Sequence, residues 1–504
     1  MSHLPILLIL IPLLASGLVL FAEQYRLGIS AQRMVAWIAL SAQVVAAILL
    51  FEKVHRGEIQ VYLLGDWPAR LGISLMVDRL SAWMVLTTAL LAIACLLYAC
   101  AGWDRRAPHF HSFFQLQLLG LNGAFLTGDL FNLFVFFEVL LAASYGLMLS
   151  GGRGERIRVG FHYVAFNVVA SSLFLMALGM LYSLLGSLNM AELSVRVAQA
   201  PLENLRLIQA AAGLLLVVFC AKAALLPLYL WLPDTYASAP APVAALFAIM
   251  TKLGLYAVLR VCTLLFGDAA GTLTGFAWPW LVVAGAATLI LASIGVIASI
   301  RLRVMAAYLV LVSAGTLFIA FGLNDTATIS AGLYYLAHST FAGAALFLIA
   351  DLADRRNRSA DVESTESVAN RIRAGVLFLI ATIALAGLPP LSGFISKVLL
   401  LSAIPAAGQM LWLWGIILGS GFLALVGLLR IGVRLFWKPP EPGTHVLIRP
   451  SEIAAIVLLL CYGIGMTLGT APVLRYTQAA AEQLLAPDTY LDQVRAVSPQ
   501  RRSP

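Results

Sequence analysis

The sequence lacks the motifs that mark nucleotide hydrolysis and bound redox centres. It contains no GxxxxGK phosphate-binding loop, no GxGxxG turn after a predicted strand and no CxxC pair. The five cysteines lie in apolar runs without metal spacing, as small core residues do; they are Cys95, Cys100, Cys220, Cys262 and Cys461. ATP hydrolysis and iron–sulfur chemistry therefore have no support, and we expect no cofactor and no metal. Energy for any transport must come from an ion gradient or from a partner.

Charged residues are also scarce. They make up 11% of the chain, against 61% apolar residues, a composition typical of a polytopic membrane protein. The net charge of +8 does not indicate nucleic-acid binding, because most of the arginines fall in short loops, where they orient helices. The first apolar run has no basic residue ahead of it, so it predicts a membrane helix rather than a cleaved signal peptide.

Apolar runs long enough to cross a membrane predict about fourteen helices of roughly 20 residues each. They fall near 4–22, 34–51, 77–101, 111–128, 130–150, 161–186, 207–232, 237–264, 276–299, 303–322, 327–350, 373–401, 411–436 and 452–470. In the loop at 52–76, IQVYLL and GISLM predict a short hairpin across GDWPAR. Residues 351–373 predict a polar linker, and 471–504 a mostly polar, loosely ordered tail.

Lysine and arginine are divided unevenly between the loops. With fourteen helices, about seventeen of them fall on one side and six in the inter-helix loops of the other. The positive-inside rule places the first side in the cytoplasm, so both termini are expected to face outward.

The stretch from Cys220 to Lys252 is the most informative part of the chain. It places Lys222 and Lys252 inside two consecutive apolar runs, with Pro227 after the first lysine. A lysine at bilayer depth costs roughly 2.5–3.5 kcal/mol on insertion scales. Pro227 lacks an N–H, so it interrupts the helix and frees the carbonyl of Ala223. Broken membrane helices of this kind mark ion sites in transporters; the alternative is a pair of structural lysines beside a kink.

Two other buried ionisable residues accompany these lysines. Glu138 lies in NLFVFFEVLLAASYGLML, and if it meets Lys222, each group keeps the other charged. Moving a proton would open or close that pair, although a static ion pair is the alternative. His338 lies at mid-depth in the eleventh predicted helix, where an imidazole exchanges protons near neutral pH.

The twelfth predicted helix repeats the pattern of the seventh. In TIALAGLPPLSGFISKVLLL, Pro389 and Pro390 break the helix and Lys397 follows at depth. Two interrupted helices, each with one buried lysine, predict two related halves of the chain.

Other polar residues are expected to be mainly structural. Asp78 and Arg79 begin the third predicted helix and are candidates for a structural pair at the membrane interface. We interpret Arg260 as a residue that snorkels from a helix end, and Asp351 as a helix end. His162, near the cytoplasmic start of the sixth predicted helix, is a candidate for feeding protons inward.

Three segments resemble one known family. TGDLFNLFVFFEVLLAASYGLM, KAALLPLYLWLPDTYASAPAPVAALFAIMTKLGLYAVLR and AGLPPLSGFISK resemble the antiporter-like subunits shared by Mrp-type multisubunit cation/proton antiporters and respiratory complex I. The resemblance covers roughly residues 77–430 and is greatest to the Mrp D subunits. It implies an all-α membrane fold of about fourteen helices with two inverted five-helix repeats, formed by helices 4–8 and 9–13, in which helices 7 and 12 are broken. Ser313 stands where several relatives have a histidine.

The resemblance also implies domains, site residues and partners. The expected divisions are 1–110, 111–264 and 265–436 for the N-terminal helices and the two repeats, and 437–504 for the last helix and tail. A proton relay is expected at Glu138, Lys222, Lys252, His338 and Lys397. The chain is then a subunit of a Na+(K+)/H+ antiporter in a bacterial inner membrane, bound to other membrane subunits and not to nucleic acid. A proton-pumping subunit of complex I or of a membrane-bound hydrogenase remains the alternative, and a structural scaffold a third.

Overall fold

The computed structural model describes residues 3–68, 72–152, 154–358, 368–404, 410–437 and 448–496. Apart from one hairpin, the regular structure of these residues is helical. The helices are α1 (Leu4–Gln24), α2 (Ile29–His55), α3 (Arg79–Ala99), α4 (Phe110–Leu126), α5 (Leu130–Leu149), α6 (Gly154–Leu185), α7 (Met190–Ala198), α8 (Leu205–Lys222), α9 (Trp231–Ser238), α10 (Ala241–Phe247), α11 (Met250–Leu265), α12 (Trp278–Ala298), α13 (Leu302–Gly322), α14 (Thr326–Arg358), α15 (Val368–Ala386), α16 (Ser392–Ala403), α17 (Leu411–Gly432), α18 (Pro450–Leu468), α19 (Thr470–Leu485) and α20 (Asp488–Ala496).

The helices have the lengths that a membrane requires. Within the described ranges, twelve helical segments are long and apolar enough to cross a bilayer, and α15 and α16 form a shorter apolar pair. Each of the fourteen predicted apolar runs contains a helix, which confirms an all-α polytopic membrane protein. The count of fourteen spans and the inverted repeats stay predictions.

The most buried helices form the centre of the molecule. All residues of α11 are buried, and most residues of α13 and α14 are buried as well. In contrast, α1, α2, α6, α12 and α17 each keep an exposed apolar face. A helix buried on every side is surrounded by protein, whereas an exposed apolar face suits lipid or another membrane subunit. Lys252 on α11 and His338 on α14 therefore lie in the interior, away from lipid.

Both predicted helix breaks are present. The seventh predicted helix ends at Lys222, short of the expected 232, and the chain turns through Ala223–Leu230 before α9 begins. The break begins four residues ahead of Pro227 because proline offers no N–H to the carbonyl of Ala223 and its ring clashes with that carbonyl in a helix. In the twelfth, α15 ends at Ala386, Gly387 adopts a positive φ of 77°, and α16 begins after Pro389 and Pro390.

The loop predictions are confirmed in part. Strand β1 (Gln60–Leu63) pairs antiparallel with β2 (Ser74–Val77), with Gln60 opposite Val77, as the hairpin prediction requires. The prediction of a linker beginning at residue 351 is wrong, because α14 continues to Arg358. Asp351 is therefore not a helix end: it lies inside α14, where it forms ion pairs with Arg303 and Arg355.

The C-terminal segment is not a loosely ordered tail up to residue 496. It forms α19 and α20, and α19 packs against α3 and α14. Tyr476, Ala480 and Leu484 are buried, and the hydroxyl of Tyr476 donates to the carbonyl of Arg79. These residues are spaced four apart, so they form one apolar face of α19 that packs against the rest of the protein. The polar residues between them make this face hard to recognise in the sequence.

Asp78 and Arg260 form a buried ion pair that the sequence does not predict. Asp78 does not pair with Arg79; both of its carboxylate oxygens accept hydrogen bonds from Arg260, at 2.5 and 2.6 Å. Arg260 does not snorkel, since it is buried between the rings of Tyr256 and Tyr490. A buried guanidinium needs such a bidentate partner, and the partner is too distant in sequence for local pattern to identify it.

Candidate functional site

Glu138 and Lys222 are joined through a third side chain. Glu138 is half-buried on α5 and accepts a hydrogen bond from the hydroxyl of Ser171 on α6. Lys222 Nζ donates to the same hydroxyl at 3.1 Å and to Asn167 Oδ1 at 3.3 Å. The expected direct pair is therefore a bridged one, in which a single hydroxyl donates to the carboxylate and accepts from the ammonium.

Lys222 lies at the very end of α8, which suits its charge. The last carbonyls of a helix carry the negative end of its dipole and have no partner within the helix. One of them, that of Ala221, accepts a hydrogen bond from the indole of Trp231 at 3.1 Å. The break thus places Lys222 in the last turn of α8, where the helix dipole favours a positive charge.

The segments that carry Lys222 and Lys252 are in contact just beyond each lysine. A Cβ added to Gly254 on α11 would lie 2.6 Å from the backbone nitrogen of Ala223. Gly254 follows Lys252 by two residues, and Ala223 follows Lys222 by one. Only glycine allows this approach, which brings the two lysine-bearing segments side by side.

Lys252 has a defined partner in the protein interior. Its side chain is completely buried, and Nζ donates to Ser313 Oγ on α13 at 2.7 Å. Ser313 donates in turn to the carbonyl of Val310 at 2.7 Å. A hydroxyl on α13 is therefore the hydrogen-bond partner of this buried lysine.

His338 lies between Lys252 and the second helix break. A small cavity, about the size of one water molecule, is lined by Ser313 and His338. On its other side, Nδ1 of His338 is 2.8 Å from the hydroxyl of Ser392, the first residue of α16. A second small cavity lies there and is also lined by His338 and Ser392. The polar contacts of the imidazole therefore face the second break, where Ser392 and the carbonyl of Ala384 lie, and the first cavity separates the ring from Ser313.

Lys397 is attached to the carbonyl that the second break frees. Its Nζ donates to the oxygen of Ala386, the last residue of α15, at 2.7 Å. A Cβ at Gly387 would lie 3.0 Å from Nζ, and Gly421 on α17 packs against Nζ as well. Two glycines and one freed carbonyl thus make room for an ammonium group at the break.

The contacts of the five residues predicted from the sequence join them in two groups, whose backbones meet at Ala223 and Gly254. Glu138 and Lys222 share Ser171, Lys252 and His338 face each other across Ser313 and a cavity, and His338 and Lys397 both contact the α15–α16 break. We call these five side chains the buried row. His162 is not part of it, since it is exposed on α6 beside Phe161.

The part of the sequence that contains these five residues matches the model of a known protein family. The model of the family described as "NADH:quinone oxidoreductase/Mrp antiporter, TM" matches residues 127–424, which is more than half of the chain and includes the whole buried row. The chain belongs to this family. As a member, it is a multi-pass membrane protein.

Its relatives include antiporter D subunits. The chain is 43% identical over 464 residues, 86% of either chain, to the D subunit of a probable K(+)/H(+) antiporter of Rhizobium meliloti. It is 36% identical over 502 residues, 98% of this chain and 99% of the relative, to the D subunit of a Na(+)/H(+) antiporter of Bacillus subtilis. These similarities confirm the resemblance to Mrp D subunits.

Solved structures show the same fold. A chain of the Mrp complex from Dietzia sp. DQ12-45-1b superposes with a TM-score of 0.88 at 26% identity, covering 98% of this chain and 100% of that one. Respiratory complex I from Thermus thermophilus contains a chain with a TM-score of 0.76 at 23% identity, covering 96% and 99%. The second likeness is one of fold alone.

In this family member, three serines contact the buried row and are not among the residues predicted from the sequence. They are Ser171, Ser313 and Ser392, on α6, α13 and α16. For Ser171 a signal exists: Asn167 and Ser171 lie four residues apart in the apolar run VAFNVVASSLF, so they share one helix face. Their partners come from other helices, which local sequence does not reveal.

Ser171 gives a test of the bridge with a neighbouring control. We expect Ser171→Ala to slow cation-driven proton exchange about tenfold, since a hydrogen bond to a charged group contributes roughly 1.5 kcal/mol. Ser172→Ala is the control, because Ser172 is exposed and bonds only to the carbonyl of Val168. Exchange is measured in vesicles at equal amounts of assembled complex. Equal rates in the two variants would contradict a functional bridge.

Proposed function

We propose that this chain is the proton-translocating subunit of a multisubunit Na+(K+)/H+ antiporter. The observation that carries the proposal is the buried row, in which ionisable side chains from α5, α8, α11, α14 and α16 follow one another through the protein interior. Each has a hydroxyl or a freed carbonyl as partner. Such groups are costly inside a membrane protein and are typical of proton pathways. The similarity to antiporter D subunits supports the same function.

In this proposal, protons pass along the row from Lys222 through Lys252 and His338 to Lys397. Glu138 tunes the charge of Lys222 through Ser171, because the hydroxyl transmits hydrogen bonding in either direction. A water in the cavity between Ser313 and His338 would complete the central step. Protons reach the row through a half-channel near α5–α11 and leave through the second half of the chain. The cation path lies partly in another subunit.

In the same proposal, the chain consists of N-terminal helices, two inverted repeats, and a last helix with a tail. Residues 111–264 and 265–436 form the two inverted repeats, after N-terminal helices at 1–110 and before a last helix and tail at 437–504. Two broken helices, each with a lysine at or near its break, support this division. The subunit lies in a bacterial inner membrane with both termini outward, and its exposed apolar faces contact lipid and other membrane subunits.

Neutralising Glu138 tests the proposal. Glu138→Gln keeps the shape of the side chain but removes its charge, so Lys222 loses its electrostatic partner across Ser171. We expect sodium- or potassium-driven proton exchange to fall by about tenfold or more, in line with the loss of a positioned proton-handling group. Glu203→Gln is the control, because Glu203 is exposed beside α8.

Two results would contradict this function. One is undiminished exchange by Glu138→Gln in a normally assembled complex. The other is purification of the chain with flavin and iron–sulfur subunits, which would favour a redox-driven pump of the complex I or hydrogenase type. Small membrane partners without cofactors are expected instead.

A further inference from the structure

A second group of ionisable side chains lies outside the buried row, where α3 ends and α4 begins. Cys100 follows the last residue of α3, Asp104 lies in the connecting loop, and His111 is in the first turn of α4. The thiol sulfur, a carboxylate oxygen and an imidazole nitrogen lie within 4.8 Å of one another. Asp104 and His111 are buried, and Cys100 is half-buried.

The carboxylate of Asp104 is held from the side by Arg33 on α2. Arg33 Nε donates to Oδ2 at 2.6 Å and Nη2 to Oδ1 at 2.8 Å, while His111 Nε2 lies 3.1 Å from Oδ2. A carboxylate has about four lone-pair positions, so Oδ1 keeps one that these contacts do not use. An outer partner that orients a carboxylate in this way is typical of metal ligands.

His111 supplies an independent sign that the group is incomplete. Its side chain is fully buried, yet Nδ1 has no hydrogen-bond partner among the residues that the structure describes. Buried polar atoms are nearly always paired, and Nε2 already contacts Asp104, so Nδ1 is the ring nitrogen that lacks a partner.

We propose that Cys100, Asp104 and His111 form a binding site for Zn²⁺ or a similarly soft divalent cation. Thiolate, imidazole and carboxylate together are ligands that zinc prefers, whereas magnesium and calcium take oxygen. Three protein ligands leave a fourth tetrahedral position for water. Ligand atoms around zinc are about 3.5 Å apart, so atoms that are now within 4.8 Å of one another must approach by about 1.3 Å at most. The thiol proton leaves to solvent as the Zn–S bond forms, and Arg33 stays on Asp104 as the outer partner.

Occupation of this site would restrain the helix that carries Glu138. The site fixes the start of α4, and α4 packs tightly against α5, where a Cβ at Gly120 would lie 2.7 Å from the backbone nitrogen of Leu140. Leu140 is two residues beyond Glu138. Bound metal is therefore expected to slow cation-driven proton exchange. This effect rests on the proposed function, but metal binding itself does not rest on it.

The test uses Cd²⁺ as the probe on the purified, assembled complex. Cadmium bound to a thiolate gives an ultraviolet charge-transfer band, and difference spectra against each variant cancel contributions from partner subunits. We expect one Cd²⁺ per chain, displaced by Zn²⁺ but not by Mg²⁺. Cys100→Ser is expected to abolish the band and weaken binding at least about tenfold, and His111→Gln to weaken it similarly. Cys461→Ser, an exposed cysteine on α18, is the control and should retain both.

Three outcomes would overturn the site. They are the absence of stoichiometric binding in the wild-type complex, a band that persists in Cys100→Ser, and a band lost in Cys461→Ser. A wild-type titration without stoichiometric binding overturns the site without any variant, and His111→Gln serves as the second variant if Cys100→Ser impairs assembly. If metal binds without any effect on exchange, the metal site is supported and only its proposed coupling to α5 is contradicted.

Discussion

Replacing Lys222 with alanine is expected to reduce cation-driven proton exchange about 100-fold or more, which is the scale of losing a proton-transferring group. Lys222 is buried at the end of α8, and its ammonium donates hydrogen bonds to Ser171 and Asn167. In the alanine variant, Glu138 keeps its hydrogen bond from Ser171, but the ammonium that donates to the same hydroxyl is lost. Without Lys222 the row lacks its first proton-accepting group, so transfer along it stops at the first step.

A second substitution separates proton transfer from fixed charge. Lys222→Arg keeps a positive group in place, but a guanidinium does not give up its proton at physiological pH, so exchange should be lost here too. Lys53→Ala, in the last turn of α2 outside the row, is the control. Exchange is measured in vesicles as a pH change after a sodium or potassium pulse, normalised to assembled complex. Normal exchange in Lys222→Arg would show that Lys222 acts only as a fixed charge.

The fold could be read from the sequence wherever one residue type dictates local geometry. Pro227 and the pair Pro389–Pro390 lack the N–H that a helix needs, and both helices break near them. The hairpin is confirmed as well. The segment after residue 470 was harder to predict, because the apolar residues that bury one face of α19 are diluted by polar ones. Short amphipathic helices depend on the surface they cover, and that surface comes from α3 and α14.

The site shows a similar division. Buried lysines, a glutamate and a histidine stand out in an apolar sequence because their burial is energetically unfavourable without partners. The partners do not stand out. Ser313 is an ordinary residue in a membrane helix, yet it is the hydroxyl that Lys252 contacts. The same holds for Arg260 and Asp78, whose pairing depends on two helices meeting. Sequence therefore identifies which groups need a partner, and the fold identifies the partner.

A single added methyl group at the second break is expected to have the other large effect. In Gly393→Ala, the new Cβ would overlap the carbonyl oxygen of Ala384 and lie 2.9 Å from Nε2 of His338. Neither neighbour can yield easily, because the first is backbone and the second is held by Ser392. The start of α16 must therefore move away from α15, which carries Ser392 away from His338 and disturbs the carbonyl of Ala386 that binds Lys397.

We expect Gly393→Ala to abolish exchange and to lower the stability of the subunit by about 1–3 kcal/mol, the usual cost of overpacking. Gly419→Ala on α17 is the matched control, since its Cβ would meet no atom within 4 Å. Thermal unfolding in detergent separates the two effects: a loss of exchange larger than the loss of folded complex means that the path through His338 is interrupted. If Gly393→Ala exchanged normally, His338 and Ser392 would not need their present contact, and the second half of the row would have to run elsewhere.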